Sequence, residues 1–273
     1  MTQEQTAASP PPARPRPTLR QVAVKRVERI TPGVVRVTLA GDALAGFEIT
    51  RQAGHVRIWF PQAGRAAPLM PQQTDNGPVM PEGVQRPDSR VYTPRIWDPS
   101  ARELSVDFIV HGSGPGSTWA EAAKPGDRVV MAGPGGRFNV DPEAAWYLLG
   151  ADQTGLPGLV TVLEALPASI PAQVFVEVED ASEVQPLPAG DNVRVTWLHR
   201  KGAMGEALRD AIAGVELPAD PRGRVWVAAE SSIVHAIRRG LLERGIDRTA
   251  MHTHGYWKQG EVNHPDHDYG EDA

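Results

Sequence analysis

Two guanidiniums, a phenol and a hydroxyl stand within six residues, Arg90-Val91-Tyr92-Thr93-Pro94-Arg95. An arginine forks onto a phosphate through paired charge-assisted bonds, and a tyrosine ring offers a flat partner to a heteroaromatic ring, so the set suits an anionic, aromatic ligand. On an extended strand Arg90, Tyr92 and Pro94 face one way while Val91, Thr93 and Arg95 face the other. Taken alone, the six residues fit a solvated edge strand better, because Pro94 has no backbone donor and favours edges.

Further along, the stretch DFIVHGSGPGSTWA runs from Asp107 to Ala120. A glycine-rich turn entering a helix is a seat for a phosphate, since backbone N–H groups and the positive end of the helix dipole converge there. The same turn also reads as a plain loop that caps a helix through Ser117 or Thr118. In GADQTGLPGLVTVLEALP (150–167), Thr154 stands at a strand-to-helix crossing, where a hydroxyl can cap the helix. HGYWKQG (254–260) combines Tyr256, Trp257 and Lys258 and reads either as cover for a flat ligand or as an aromatic plug at a domain junction. The terminal stretch 261–273 holds His264, His267 and several carboxylates, but the spacing matches no zinc pattern and no metal site is expected.

The elements that must position these residues follow from periodicity. TLRQVAVKRVERI and GVVRVTLAG read as strands about the turn Thr31-Pro32-Gly33, with Val35, Val37 and Leu39 alternating against Arg36 and Thr38. HVRIWF (55–60), RVYTPRIWD, ELSVDFIVHG and DRVVMAGPGG complete six strands, with one short helix near 117–124 and a long loop from Pro61 to Ser89. That set describes a small antiparallel barrel. GPGGRF (133–138) reads as a turn between domains. From about Asp141 strands alternate with helices, which implies a mostly parallel, Rossmann-like sheet. In its last helix Ile233, Ile237 and Leu241 form one stripe, and Arg238 and Arg239 fit a solvated face better than a phosphate contact. The expected organisation is a disordered or extended tail (1–17), a β-barrel domain (18–140), an α/β domain (141–260) and a polar tail (261–273). Ligands of open α/β sheets sit at the carboxyl ends of the strands, so a cofactor is expected between the two domains.

Composition narrows the class. The 273 residues leave room for two cores, and 41% hydrophobic with 22% charged residues is ordinary for a globular chain. No apolar run is long enough for a membrane span, and the N-terminus lacks the apolar core of a secretory signal, so the cytoplasm is the expected compartment. The absence of cysteine excludes disulfides, thiolate metal ligands and cysteine nucleophiles. A net charge of −5 argues against nucleic acid as the main partner.

Taken in order, these motifs resemble the siderophore-interacting proteins of the ferredoxin-reductase-like superfamily. Arg90-x-Tyr92-Thr93-x-Arg95 is similar to their flavin-binding signature in its threonine form. DFIVHGSGPGSTWA is similar to their Asp-x-x-x-His-Gly segment and Gly-Pro turn, GADQTGLPG to their Gly-x-Asp-Glu-Thr-Ala-Leu-Pro segment, and HGYWKQG to their terminal Tyr-Trp-Arg/Lys-x-Gly stretch. Gly116 stands where many members have Ala, Gln153 and Gly155 replace Glu and Ala, and Ala229-Glu230 replaces a Gly-Glu pair. The resemblance implies FAD on the barrel and an NAD(P)H-binding-type second domain. Arg90 would contact the pyrophosphate, Tyr92 the isoalloxazine or ribityl side, and the Thr93 hydroxyl the neighbourhood of the reactive flavin nitrogen. Arg95, Asp107, His111, Gly112, Gly116, Ser117, Thr118, Asp152, Thr154, Tyr256 and Trp257 complete the implied cofactor set.

The implied activity is reduction of a ferric siderophore from Fe(III) to Fe(II), releasing iron in the cytoplasm. NADH, NADPH or reduced ferredoxin is the expected donor, and the protein is expected to be a monomer without membrane or nucleic-acid partners. Hard oxygen donors hold Fe(III) far better than Fe(II), so reduction loosens the chelate. Nicotinamide gives two electrons and Fe(III) accepts one, a mismatch that a flavin resolves without an acid–base dyad. Arg57 and Lys258 sit where the family carries cations near the flavin, and Arg51 and Lys201 are added from charge alone as contacts for an anionic chelate. Two other functions fit the same residues, a general NAD(P)H:flavin oxidoreductase or electron-transfer flavoprotein, and a non-catalytic siderophore-binding protein.

Overall fold

Period-two alternation in the first half and alternating strands and helices in the second call for two different sheets. The computed structural model describes residues 18–261 apart from 75, 76, 111 and 113. The readings of 1–17 and 262–273 as tails, and His111 as a cofactor ligand, fall outside the described residues. Among those described, the strands form a seven-stranded antiparallel sheet, a five-stranded parallel sheet and a two-stranded hairpin.

The antiparallel sheet contains β1 (Leu19–Thr31), β2 (Val34–Ala40), β3 (His55–Trp59), β6 (Ser89–Tyr92), β7 (Pro94–Asp98), β8 (Glu103–Ile109) and β9 (Arg128–Gly135). The long loop holds the hairpin, β4 (Gln72–Thr74) with β5 (Gly77–Val79). Six barrel strands were expected and seven are present, because RVYTPRIWD breaks at Thr93. Proline has no N–H for a ladder, and at this point the chain leaves β3, the partner of β6, for β8, the partner of β7. The sheet order β6-β3-β9-β1-β2-β8-β7 makes these two consecutive strands its opposite edges. The ring of hydrogen bonds is therefore open between them, and the backbone at Thr93 bridges the gap. Pro94 lies on an edge strand, as its chemistry requires.

The interior of this sheet is packed by Val37, Leu39, Val56, Ile58, Leu104, Val106 and Phe108. Helix α1 (Pro115–Ala122) covers one end, with Ala120 and Trp119 joining that core. In β8 both faces are covered, since Ser105 and Asp107 are buried as well as Leu104, Val106 and Phe108. Their outer face meets Thr38 and Arg36 of β2, with Thr38 Oγ1 2.9 Å from Ser105 Oγ.

The second sheet is wholly parallel, in the order β12-β11-β10-β13-β14. Its strands are β10 (Trp146–Asp152), β11 (Ala172–Val178), β12 (Val193–His199), β13 (Gly223–Glu230) and β14 (Met251–Trp257), and its helices α2 (Leu156–Ala165), α3 (Glu206–Gly214) and α4 (Ser231–Glu243). Two apolar clusters cover its faces, one with α2 over Tyr147, Leu149 and Trp226, the other with α3 and α4 over Leu148, Val225 and Val227. The stripe expected on α4 needs correction. Val234, Ile237, Arg238 and Leu241 form its buried row, and Arg238, only 4% exposed, donates from Nη1 to Thr253 Oγ1 of β14 at 3.0 Å rather than facing solvent. Among the described residues no helix is long and apolar enough to cross a membrane.

Candidate functional site

Register decides where the first motif points. Residues opposite each other in an antiparallel pair share a face. Arg90 lies opposite Ile58 and Tyr92 opposite Val56, so both point to the core side of the sheet, toward the end that α1 covers. The Tyr92 ring packs on Phe108 with centroids 4.3 Å apart and edge-on to Phe60 at 6.3 Å. Burial pushes its phenol well above the usual tyrosine range, against a smaller downward pull from the Arg90 charge. Its hydroxyl lies where a Cβ on Gly116 would be, 1.8 Å from that position, which accounts for glycine in the first turn of α1. Arg90 is half-buried and donates from Nη1 to Ser89 O at 2.7 Å. The first turn of α1 has Pro115 at its start and Gly114, which has no side chain to offer, as N-cap. Ser117 is buried there and Thr118 exposed, and both lie inside the helix, after its N-cap Gly114. Gly112, with φ of +51°, is exposed in the approach to this helix.

Thr93 is buried at the crossing, and Arg95 turns away from Tyr92 toward the second sheet, where Nη1 meets Glu164 Oε1 of α2 at 3.0 Å. A cavity of about 270 Å³ opens between the two sheets, lined by Arg36, Arg95, Asp107 and Ile109 on one side and Gln153, Leu156 and Pro157 on the other. Ligand pockets run to roughly 300–1,000 Å³, so this one suits a ring system better than a whole dinucleotide. Asp107 accepts both forks of Arg36, from Nε at 2.6 Å and Nη2 at 2.7 Å, which fixes two opposite charges at the cavity wall.

The carboxyl ends of the parallel strands gather around Asp152. Its Oδ1 accepts from Thr154 N (2.8 Å), Thr154 Oγ1 (2.6 Å) and Gly155 N (3.0 Å), and its Oδ2 from Glu230 N (3.0 Å) and the Trp257 indole (2.9 Å). Burial pushes this carboxyl upward, while the Thr154 hydroxyl and the Trp257 indole oppose the rise. The hydroxyl of Thr154 thus joins the start of α2 through this carboxylate rather than capping it alone. Two further buried carboxylates act at helix starts. Glu177 accepts from Gly205 N (2.7 Å) and Leu208 N (3.0 Å) at the start of α3, and Glu230 accepts from Ile233 N (3.0 Å) at the start of α4. Tyr256 stands edge-on to His254 at 4.8 Å with its hydroxyl close to Gly158 of α2.

The four basic candidates do not form one cluster. Arg57 is half-buried on β3 and reaches Ser89 Oγ at 3.3 Å, and Arg51 is exposed in the loop before β3, beside Gly136. Lys258 pairs with Glu261 at the surface, an arrangement of small energetic weight. Lys201 is exposed after β12, at the opposite edge of the sheet from β14 and Lys258, four strand spacings or about 19 Å away.

Sequence reasoning missed Arg36, Glu177 and above all Glu183, buried in a short turn at 181–183. Arg36 carried a weak signal as a cation in an alternating strand. Glu183 carried none, because its partners lie 30 to 152 residues away.

Comparison with known proteins gives one consistent result. Residues 23–138 match the family described as "Siderophore-interacting FAD-binding domain" and residues 144–260 the family "Siderophore-interacting protein". The chain is 36% identical to the NADPH-dependent ferric-chelate reductase of Escherichia coli, over 87% of this chain and 92% of that one. It is 30% identical to the ferric vibriobactin reductase ViuB of Vibrio cholerae, over 86% and 88%. A siderophore utilization protein from T. fusca superposes with a TM-score of 0.82 at 39% identity, covering 92% of this chain and 96% of that one. The ferredoxin reductase of carbazole 1,9a-dioxygenase, at 18% identity and a TM-score of 0.63 over 88% and 70%, shares the fold.

Proposed function

The chain belongs to the siderophore-interacting protein family, and from that premise we propose that it is an FAD-containing oxidoreductase that reduces ferric siderophores, Fe(III) to Fe(II), with NADPH as donor. The observation that carries this reading is the start of α1, whose N-cap is a glycine, set against the half-buried Tyr92 on the strand that also carries the half-buried Arg90. These residues fit FAD. Helix N-terminal N–H groups and a guanidinium suit a pyrophosphate, and a tyrosine ring suits a flat heteroaromatic partner.

The roles follow. Arg90, Gly112 and the first turn of α1 would hold the pyrophosphate, and Tyr92, Thr93, Arg95 and Asp107 would hold the rest of the cofactor from the antiparallel sheet. Asp152 fixes Thr154 and Trp257, which with Tyr256 would meet it from the parallel sheet. A bound FAD supplies the conversion from a two-electron donor to a one-electron acceptor. The protein's own part is to orient donor and chelate and to exclude water. Arg51, Arg57 and Lys258 face the anionic chelate; Lys201, on the far edge, stands apart from it. Residues 18–140 form the FAD-binding unit, an antiparallel sheet whose ring of hydrogen bonds is open at Thr93, and 141–260 the unit that meets the donor. The protein works as a monomer in the cytoplasm.

The purified protein is expected to show flavin absorption, and under anaerobic conditions its reduced form is expected to be reoxidised by a ferric siderophore. Reduced flavin that persists in the presence of the chelate would overturn the substrate assignment, and faster turnover with quinones would point to a general oxidoreductase.

A further inference from the structure

Glu183 is 3% exposed, and its hydrogen-bond partners among the described residues come from both halves of the molecule and are all neutral. Thr31 Oγ1 donates to Oε2 at 2.5 Å and Gly33 N to Oε1 at 2.6 Å, both from the β1–β2 turn, while Gln153 Nε2 donates to Oε2 at 2.6 Å from the end of β10. A group that accepts from three donors is suited by the ionised, acceptor-only form of the acid. A Cβ on Gly33 would stand 2.9 Å from Gln153 Nε2 and 3.0 Å from both Glu183 oxygens, so the turn comes this close only as glycine.

Other ties between the halves are weaker one by one. Among the described residues the chain crosses from one sheet to the other once, between Gly135 at the end of β9 and Trp146 at the start of β10. The cavity stands between Ile30, Val34 and Ile109 on one side and Leu156, Pro157 and Val160 on the other, so these apolar walls do not close on each other. Arg95 pairs with Glu164, an acid whose side chain is 45% exposed, which gives the pair little weight. Ala53, partly buried against the α2 cluster, donates from N to Thr161 Oγ1 at 2.7 Å. Domains whose contact is not large and apolar move against each other by default. Glu183 opposes that movement, because a small shift of the turn takes the donors away from a charge that water does not reach, and a buried charge without partners is strongly unfavourable. Relief comes only when the halves part far enough to admit water.

We propose that Glu183 is the latch between the two halves: held by the β1–β2 turn on one side and by the end of β10 on the other, it makes the two sheets open as a single unit. None of its partners is assigned to cofactor or chelate, so the latch stands apart from the flavin reading. It can be broken from either side. Glu183→Ala removes the acceptor. Gly33→Ala leaves Glu183 in place and puts a methyl group where the two side-chain ends now meet, and it strains no backbone, because φ at 33 is not left-handed.

The test is residue-resolved amide hydrogen exchange over a urea series, on the full chain with excess FAD, as wild type, E183A, G33A and E164A. In the wild type the slowest amides of β2 and of β10 are expected to exchange through one opening with one urea dependence. In E183A and G33A the amide of residue 33 should exchange about ten-fold or more faster, and the amides of β2 and β10 should separate into two openings. E164A, which removes only the exposed ion pair, should keep the single opening. T31V removes one donor at nearly constant volume and is the mild variant should E183A or G33A fail to fold; it should speed exchange at Gly33 about three-fold. Two openings already present in the wild type would overturn the latch. So would a single opening kept by folded E183A or G33A, unchanged exchange at Gly33 in T31V, or a split of the same size in E164A.

Discussion

Among the described residues, the helix in the antiparallel half and the three helices in the parallel half begin in opposite ways. α1 starts on Gly114 and Pro115, an N-cap with no side chain of its own, whereas α2, α3 and α4 start on the buried carboxylates of Asp152, Glu177 and Glu230. The N-terminal N–H groups of a helix and its dipole attract one anion. Where the protein has supplied that anion itself, a phosphate brought to the same turn meets a fixed negative charge. Three helix starts are thereby closed by carboxylates of the fold, and the fourth, with glycine as its N-cap, is the one beside Tyr92.

The largest expected effect comes from emptying one closed end. Asp152→Ala leaves five donors without their acceptor, including the Trp257 indole, and unsatisfied buried groups cost about 1–3 kcal/mol each before relaxation. A loss of about 3 kcal/mol or more in urea unfolding is expected, and a loss below about 1 kcal/mol would mean that water replaces the carboxylate without difficulty. A smaller effect comes from closing the open end. Gly114 has φ −68° and ψ 143°, allowed for any residue, so Gly114→Asp can cap α1 as its counterparts are capped. The fold should gain about 1 kcal/mol while FAD binds about ten-fold or more weakly, read by fluorescence titration. Unchanged affinity would remove α1 from the cofactor site.

The last prediction tests whether titration in the parallel half acts on stability alone. Burial, then the charge of Arg137, holds the His252 imidazole down at about 4. A lowered imidazole contributes stability that is complete above its ordinary value near 6.5 and is lost as pH falls from there toward 4, by no more than about 1.4 kcal/mol per pH unit. His252→Phe, which keeps ring packing on Phe138, should flatten that acid limb in urea midpoints taken between about pH 7 and 4 and leave FAD affinity unmoved. A shift in affinity would tie this histidine to the ligand.

Much of this arrangement was legible in the chain because it is local. The alternation around Val37 and the apolar run at Trp146–Asp152 carry their strand character within a few residues, and the glycine-rich turn declares a helix, expected near 117–124 and found at Pro115–Ala122. Three features were not. Two strands hide in RVYTPRIWD because a proline break and a bend look alike until partners are known. Arg238 falls off an apolar stripe drawn through Ile233, and only the packing of β14 against α4 reveals that Val234 and Arg238 belong to the buried row. Glu183 reads as one acid in a polar loop, since its role depends on a turn 150 residues earlier. Local chemistry set the elements and the open helix end; the internal anions appear only when distant segments meet.

The distance between Gly33 and Glu183 has a meaning in time. At about 5–20 residues per second of synthesis, 150 residues separate the making of the β1–β2 turn from the making of its acceptor by roughly 8–30 s. Every strand of the antiparallel sheet, and α1 with it, is complete in sequence by Gly135, well before Glu183 is added. During synthesis the Thr31 hydroxyl and the Gly33 N–H therefore face water for that interval, and the nascent sheet carries its open helix end before the half that will hold the donor exists.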